Sequence, residues 1–212
     1  MRGDILKEMY ERLYASFGPQ NWWPADSPFE VAVGAILTQN TNWSNVEKAI
    51  QHLKKAEVLS AIKLHQIPHS TLALLIRPAG YFNIKASRLK NFVDLLHSDY
   101  DGNMSDMALE PMQPMRRKLL AVNGIGPETA DSILLYALEK PVFVIDSYTK
   151  RILSRHAIID FYETYERFQR LFHARLDHDV SLFNEYHALI VRLAKDFCRS
   201  KPLCGGCPLE RI

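Results

Sequence analysis

Residues Val122 to Asp146 read VNGIGPETADSILLYALEKPVFVID. The pattern Met115–Ala121 ahead of it reads as a helix, and Pro127 suits the first turn of the next one. Only a tight turn fits between them, built from Asn123, Gly124, Ile125 and Gly126. Glycine adopts positive φ without steric cost, and a turn beside a helix N-terminus leaves backbone N–H groups open to an anion. A phosphate of a nucleic-acid backbone is the simplest such anion. An ordinary helical-hairpin turn with glycine caps is the alternative. The next helix, from Pro127 to Leu138, travels about 17 Å at 1.5 Å per residue before Pro141 stops it. The apolar run Val142–Ile145 then returns about 13–16 Å, bringing Asp146 back toward the end of the helix where the turn lies. Asp146 is also a natural N-cap for a helix starting at Ser147, a role compatible with remaining ionised.

The chain has 212 residues, enough for one globular unit or two lobes sharing chain. With 47% hydrophobic and 24% charged residues the composition is that of an ordinary soluble protein. No apolar run approaches the roughly 18 residues of a membrane span, and MRGDILKEMY lacks a signal-peptide core, so the expected location is cytoplasmic. The net charge of +2 makes any contact with nucleic acid a matter of local patches.

Helical patterns cover nearly the whole chain. Asp4 caps a helix whose Ile5, Met9, Leu13 and Phe17 share a face, with Gly18 as its stop. Ser27-Pro28-Phe29-Glu30 opens another, and VAVGAIL makes it apolar on every side, the mark of a buried central helix. Further patterns fall at 43–54, 70–76, 84–97, 114–121, 127–138, 147–156, 163–176 and 180–197. Val142–Ile145 alone has strand character, and four residues make no sheet. The expected fold class is all-α.

Leu120-x-Val122-Asn123-Gly124-Ile125-Gly126-x-x-Thr129-Ala130, followed by Val144-Ile145-Asp146, resembles the helix-hairpin-helix DNA glycosylases of the endonuclease III superfamily. The resemblance runs from about residue 22 to the end. It implies a two-lobed fold, with residues 22–136 as a six-helix lobe and 1–21 plus 137–212 as the second. Damaged double-stranded DNA is expected across the cleft between lobes, bound by a monomer, with the target base turned out. Asp146 takes the place of the catalytic acid. Leu37-Thr38-Gln39-Asn40-Thr41 takes that of the segment filling the gap left by a flipped base, so Gln39 and Asn40 are expected DNA contacts. Gly80-Tyr81-Phe82-Asn83-Ile84-Lys85-Ala86 resembles the loop wedging the opposite strand, which adds Tyr81, Asn83 and Lys85. Asn123, Gly124, Ile125, Gly126 and Thr129 are expected to hold the phosphate backbone.

Strand-cleaving members carry a nucleophilic lysine two residues after the second hairpin glycine; here that residue is Glu128. A carboxylate forms no Schiff base, which points to a monofunctional glycosylase working through water and Asp146. Lys118 and Lys150 are the nearby lysines that a displaced nucleophile would have to use. Trp22-Trp23-Pro24 and Trp43 resemble the aromatic pocket of the 3-methyladenine glycosylase branch, where indole faces attract a cationic alkylated purine. The alternative is that Trp22 and Trp23 simply pack a lobe interface.

All three cysteines lie near the C-terminus, as Cys198-x5-Cys204-x2-Cys207. Clustered thiols in a cytosolic setting usually bind metal. The resemblance implies a [4Fe–4S] cluster whose fourth ligand falls at position 213; zinc held by three thiolates and a water is the alternative. Lys195, Arg199, Lys201 and Arg211 surround the motif as candidate phosphate contacts.

Overall fold

The computed structural model describes residues 4–23 and 25–212. It is all-helical, with no strand among the described residues. The chain divides into two compact units, residues 25–140 and residues 1–24 with 141–212. The tryptophans are thus shared out: Trp22 and Trp23 belong to one unit and Trp43 to the other.

The unit of residues 25–140 is built on α2 (Pro28–Leu37). Ser27 Oγ accepts from Glu30 N–H at 3.2 Å and Pro28 fixes the first turn. Every residue from Phe29 to Leu37 is buried, as its apolarity on all sides requires. Around it run α3 (Trp43–Lys55), α4 (Ala61–Gln66), α5 (His69–Leu75), a short 3₁₀ turn (Arg77–Ala79) and α6 (Phe82–Tyr100). Then come α7 (Met104–Leu109), α8 (Met112–Ala121) and α9 (Pro127–Ser132). The six-residue helices α4 and α7 have no counterpart in the sequence patterns, being too short to display a period. The helix expected over 127–138 is α-helical only to Ser132; Ile133–Ala137 widens into a π-turn, with Leu138 N–H donating to Ile133 O at 3.1 Å. α2 packs against this widened turn, α6 and α9.

The other unit contains α1 (Ile5–Phe17), α10 (Ser147–Arg155), α11 (Tyr165–His173) and α12 (Val180–Asp196). Asp4 caps α1 and Gly18, at φ 65°, ends it. α12 packs on both α1 and α10. The run Val142–Ile145 is extended and buried without a partner strand. Side chains of α11 take the place of one. Phe143 N–H donates to His173 Nε2 at 3.0 Å, Gln169 Nε2 donates to Phe143 O at 2.8 Å, and Ile145 N–H donates to the Tyr165 hydroxyl at 3.3 Å. The Phe143 ring stacks on Phe172 with centroids 3.7 Å apart.

Candidate active site and DNA-facing segments

In the hairpin the two glycines do different things. Gly124 has φ 93°, and a Cβ there would fall onto Arg88 Cγ and within 2.8 Å of its Cδ. Gly126 has φ −90° as the N-cap of α9, with nothing within 4 Å of a built Cβ. The expectation that both glycines serve positive φ therefore holds only for Gly124; at Gly126 the missing side chain leaves open space at a helix start. Asn123 is exposed, while Ile125 and Thr129 are buried beneath the turn.

Gln39 is tied into this turn. Its Nε2 donates to Gly124 O at 3.1 Å and to Thr129 Oγ1 at 2.8 Å, while its Oε1 accepts from Arg88 Nη1. The segment after α2, the hairpin and α6 are thereby cross-linked through one side-chain amide. Arg88 carried no local signal in sequence, since its partner lies 49 residues away. Asn40 beside Gln39 is exposed and left-handed at φ 53°. Tyr81 in the other loop is likewise left-handed, φ 47°, and 67% exposed. Asn83 is exposed too. Asn40 and Tyr81 are two of seven non-glycine residues with positive φ among the described residues, so this conformation does not by itself mark the two loops out.

Lys85 departs from expectation. It is 1% exposed, with Nζ donating to Leu37 O at 2.9 Å and Ala79 O at 2.7 Å. These are the last carbonyls of α2 and of the 3₁₀ turn, which have no intrahelical donor of their own. Burial pushes the ammonium down to about 8. Lys85 therefore supports the bases of both loops from inside, with its ammonium buried rather than presented at the surface.

Asp146 is the N-cap of α10, as its sequence context requires. Its Oδ1 accepts from Thr149 N–H at 2.7 Å and from Thr149 Oγ1 at 2.8 Å. Its Oδ2 lies 3.6 Å from His187 Nε2, and the side chains are 13% and 7% exposed. Burial alone would raise the carboxyl; His187 and the two Thr149 donors outweigh it and hold Asp146 below the usual aspartate range. His187, on α12, carried no local signal in sequence.

Glu128 is exposed in the first turn of α9. Lys118 Nζ donates to the Tyr100 hydroxyl at 2.9 Å and pairs with Glu110 at 3.1 Å and Asp99 at 3.2 Å. These partners raise its pKa, the opposite of what an amine nucleophile needs. The Lys150 ammonium lies 5.3 Å from the centroid of the Phe168 ring.

Trp22 and Trp23 meet edge-on with centroids 5.8 Å apart, and the Lys195 ammonium lies 5.9 Å from the Trp22 ring. Both are partly exposed; Pro24 lies outside the described residues. Trp43 opens α3 and donates from Nε1 to Glu47 Oε1 at 2.8 Å.

Cys198, Cys204 and Cys207 line one hollow of about 300 Å³, shared with Arg155, His156 and Glu210. Arg155 Nη1 donates to Cys198 Sγ at 3.3 Å and to Arg199 O at 2.6 Å, and Arg151 Nε donates to Cys198 O at 2.8 Å. Burial pushes the Cys207 thiol up. Among the described residues no three His, Cys, Asp or Glu side chains close around a point where a single ion would sit. The donors are soft thiols of the kind that zinc and iron–sulfur clusters take, and they line one hollow without converging on one point.

Residues 33–177 match the HhH-GPD superfamily of base excision DNA repair proteins. A candidate DNA repair glycosylase of Methanocaldococcus jannaschii is 46% identical over 211 residues, covering 99% of this chain and 96% of its own. Endonuclease III of Sulfolobus acidocaldarius is 30% identical over 185 residues, covering 86% of this chain and 79% of its own. The crystal structure of Helicobacter pylori 3-methyladenine DNA glycosylase bound to 1,N6-ethenoadenine superposes with a TM-score of 0.77 at 29% identity, covering 91% of this chain and 96% of that one. With the hairpin, the capping aspartate and the all-helical fold in place, the chain belongs to the HhH-GPD superfamily and is a DNA repair glycosylase.

Proposed function

We propose that the protein is a monofunctional glycosylase that hydrolyses the N-glycosidic bond of an alkylated purine, such as 3-methyladenine, flipped out of double-stranded DNA. The observation that carries this reading is Glu128, a carboxylate two residues after Gly126, together with the bound, strongly basic state of Lys118. The similarity to a 3-methyladenine glycosylase over nearly the whole chain supports the choice of base.

In the reaction the C1′–N9 bond breaks and its electron pair leaves with the purine. The deoxyribose becomes oxocarbenium-like, and the anionic Asp146 stabilises it. Water adds to C1′ through an oxygen lone pair and gives up a proton to the Asp146 carboxylate, which later returns it to solvent, leaving an abasic site. A base already positively charged leaves as a neutral molecule and needs no general acid. Indole faces of Trp22, Trp23 and Trp43 favour such a cation by roughly 0.5–2 kcal/mol per contact. Gly124, Gly126 and neighbouring amides hold the backbone phosphates, with Asn40, Tyr81 and Asn83 meeting the duplex. In this proposal Cys198, Cys204 and Cys207 would hold a [4Fe–4S] cluster. When bound, the cluster supplies a cross-link that fixes the C-terminal loop rather than chemistry at the base. The protein works as a monomer, in the cytoplasm where its DNA is.

The test is a panel of duplexes carrying one alkylated purine, deaminated base or oxidised pyrimidine, with products scored before and after alkali. Alkylpurine release, strand breaks only after alkali and no borohydride-trapped complex are expected. A trapped complex, or release of oxidised pyrimidines with alkylpurines untouched, overturns the assignment. Iron and sulfide analysis addresses the cluster: colourless protein containing zinc would sink it.

A further inference from the structure

We infer that His187 is a positioning residue that fixes the second oxygen of Asp146 and keeps the carboxylate anionic for the reaction. This rests on the reading of Asp146 as the catalytic carboxylate. Two donors of α10 already hold Oδ1. Oδ2 is the oxygen left to face the sugar or the attacking water, and His187 Nε2 is the group beside it, at 3.6 Å. An imidazole that is 7% exposed costs desolvation free energy unless a polar partner offsets it, and the buried carboxylate has the same need. The imidazole is held in place: it lies edge-on to the Phe143 ring, with centroids 6.4 Å apart and planes at 87°. Two elements that meet, the start of α10 and the middle of α12, thus present their one carboxylate and one imidazole to each other.

The other ionisable groups around the pair are engaged elsewhere. On α12, Glu185 Oε1 accepts from Gln20 N–H, and the Tyr186 hydroxyl donates to Leu6 O. From α1, Asp4 caps its own helix, and Tyr10 lies edge-on to Tyr186. From α11, His173 and Tyr165 accept backbone N–H groups of the extended run. Within α10, Lys150 lies over Phe168. Loss of His187 therefore leaves Asp146 with the Thr149 donors against burial, and the carboxyl titrates at higher pH.

The experiment compares His187→Phe, His187→Gln and Asp146→Asn with the unaltered chain. Protein labelled with ¹³C-carboxyl aspartate is titrated by NMR, the Asp146 signal being assigned by its loss in Asp146→Asn. The midpoint for Asp146 should rise by about one pH unit or more in His187→Phe. A rise below about 0.3 unit would sink the inference, because removing a neighbour with no hold on the carboxylate shifts it by no more than that. Single-turnover excision is then followed on whichever lesion duplex is released fastest. At neutral pH the rate should fall roughly tenfold to a hundredfold in His187→Phe, with the acid limb moved upward and DNA affinity unchanged. His187→Gln, which keeps an N–H donor at the Nε2 position, should recover much of the rate. A purely structural histidine would change stability and leave the acid limb in place. If His187→Phe does not fold, the Gln variant carries the titration and the rate measurement, with a smaller upward shift expected. An unshifted midpoint in that variant with full excision overturns the inference. The two readings fail separately: normal excision by Asp146→Asn removes Asp146 from the mechanism, whereas an inactive Asp146→Asn beside an unaffected His187→Phe removes only His187.

Discussion

The hairpin turn of residues 123–126 and the cysteine loop of residues 198–207 are both irregular segments next to helix ends, each braced from within its own unit, and they differ in what braces them. The hairpin is braced from within its own unit by neutral and cationic side chains: Gln39 on Gly124 O and Thr129, Arg88 on Gln39, and Asn91 Nδ2 on Asn123 O at 3.0 Å. The cysteine loop hangs from Arg151 and Arg155 of α10, and Cys204 stands exposed. The hairpin is held by side-chain bonds to its backbone and its neighbours, whereas the thiols of the cysteine loop line a hollow of about 300 Å³. An anion-binding turn gains from rigidity already present, because little ordering entropy remains to be lost. A thiol loop would gain rigidity on taking up a metal group.

The largest expected effect falls on the chemistry-bearing unit. Asp146→Asn should lower excision about a thousandfold while leaving DNA binding intact, measured by single-turnover release beside a binding titration. Asn keeps an oxygen to cap Thr149, so helix α10 should persist and the loss should be catalytic. Comparable losses of binding and excision would show that Asp146 acts in DNA binding rather than in the chemical step.

Changes in the unit that carries the hairpin should act on stability and affinity instead. Lys85→Met removes two donors from buried carbonyls and should lower the melting temperature. Its pH dependence has a definite sign. The folded pKa of about 8 lies below the unfolded value near 10.5, so the unfolded chain holds the proton in the interval between them. The unaltered chain therefore gains stability as pH rises from 8 to 10, and its lead over the Met variant should widen by about 2 kcal/mol. A constant gap would show that Lys85 titrates normally.

The two hairpin glycines sharpen the comparison further. Gly124→Ala meets both positive φ and the Arg88 side chain and should cost about 1–3 kcal/mol in chemical denaturation. Gly126→Ala meets neither and should cost at most about 1 kcal/mol, as an N-cap change. It should nonetheless weaken binding to all duplex sequences alike, because phosphate contacts carry no sequence information. Undiminished affinity in the folded Gly126→Ala protein would show that no backbone phosphate approaches there.

What the sequence made legible was whatever depends on neighbours along the chain. Asp4, Ser27 and Asp146 read as caps because capping is a three-residue interaction, and each accepts the expected N–H. α2 read as buried because its apolarity has no polar face. The failures are contacts between distant residues. Lys85 is expected at the DNA through the resemblance of its loop, and the Leu37 carbonyl that draws it inward is 48 residues away. His187 and Arg88 sit in helices that would look the same without their partners. Gly126 shared a motif with Gly124, and only three-dimensional geometry separates a glycine needed for φ from one that leaves a helix start uncovered.

The extended run before Asp146, sewn to α11 by side chains, has a consequence for hydrogen exchange. The amides of Phe143 and Ile145 belong to no helix, yet each donates within a buried setting. They should be protected from solvent deuterium as long as α11 stays folded, and should exchange together with it. Their exchange rates then report how often the segment leading into Asp146 lets go, giving a clock for the carboxylate's mobility that needs neither DNA nor turnover.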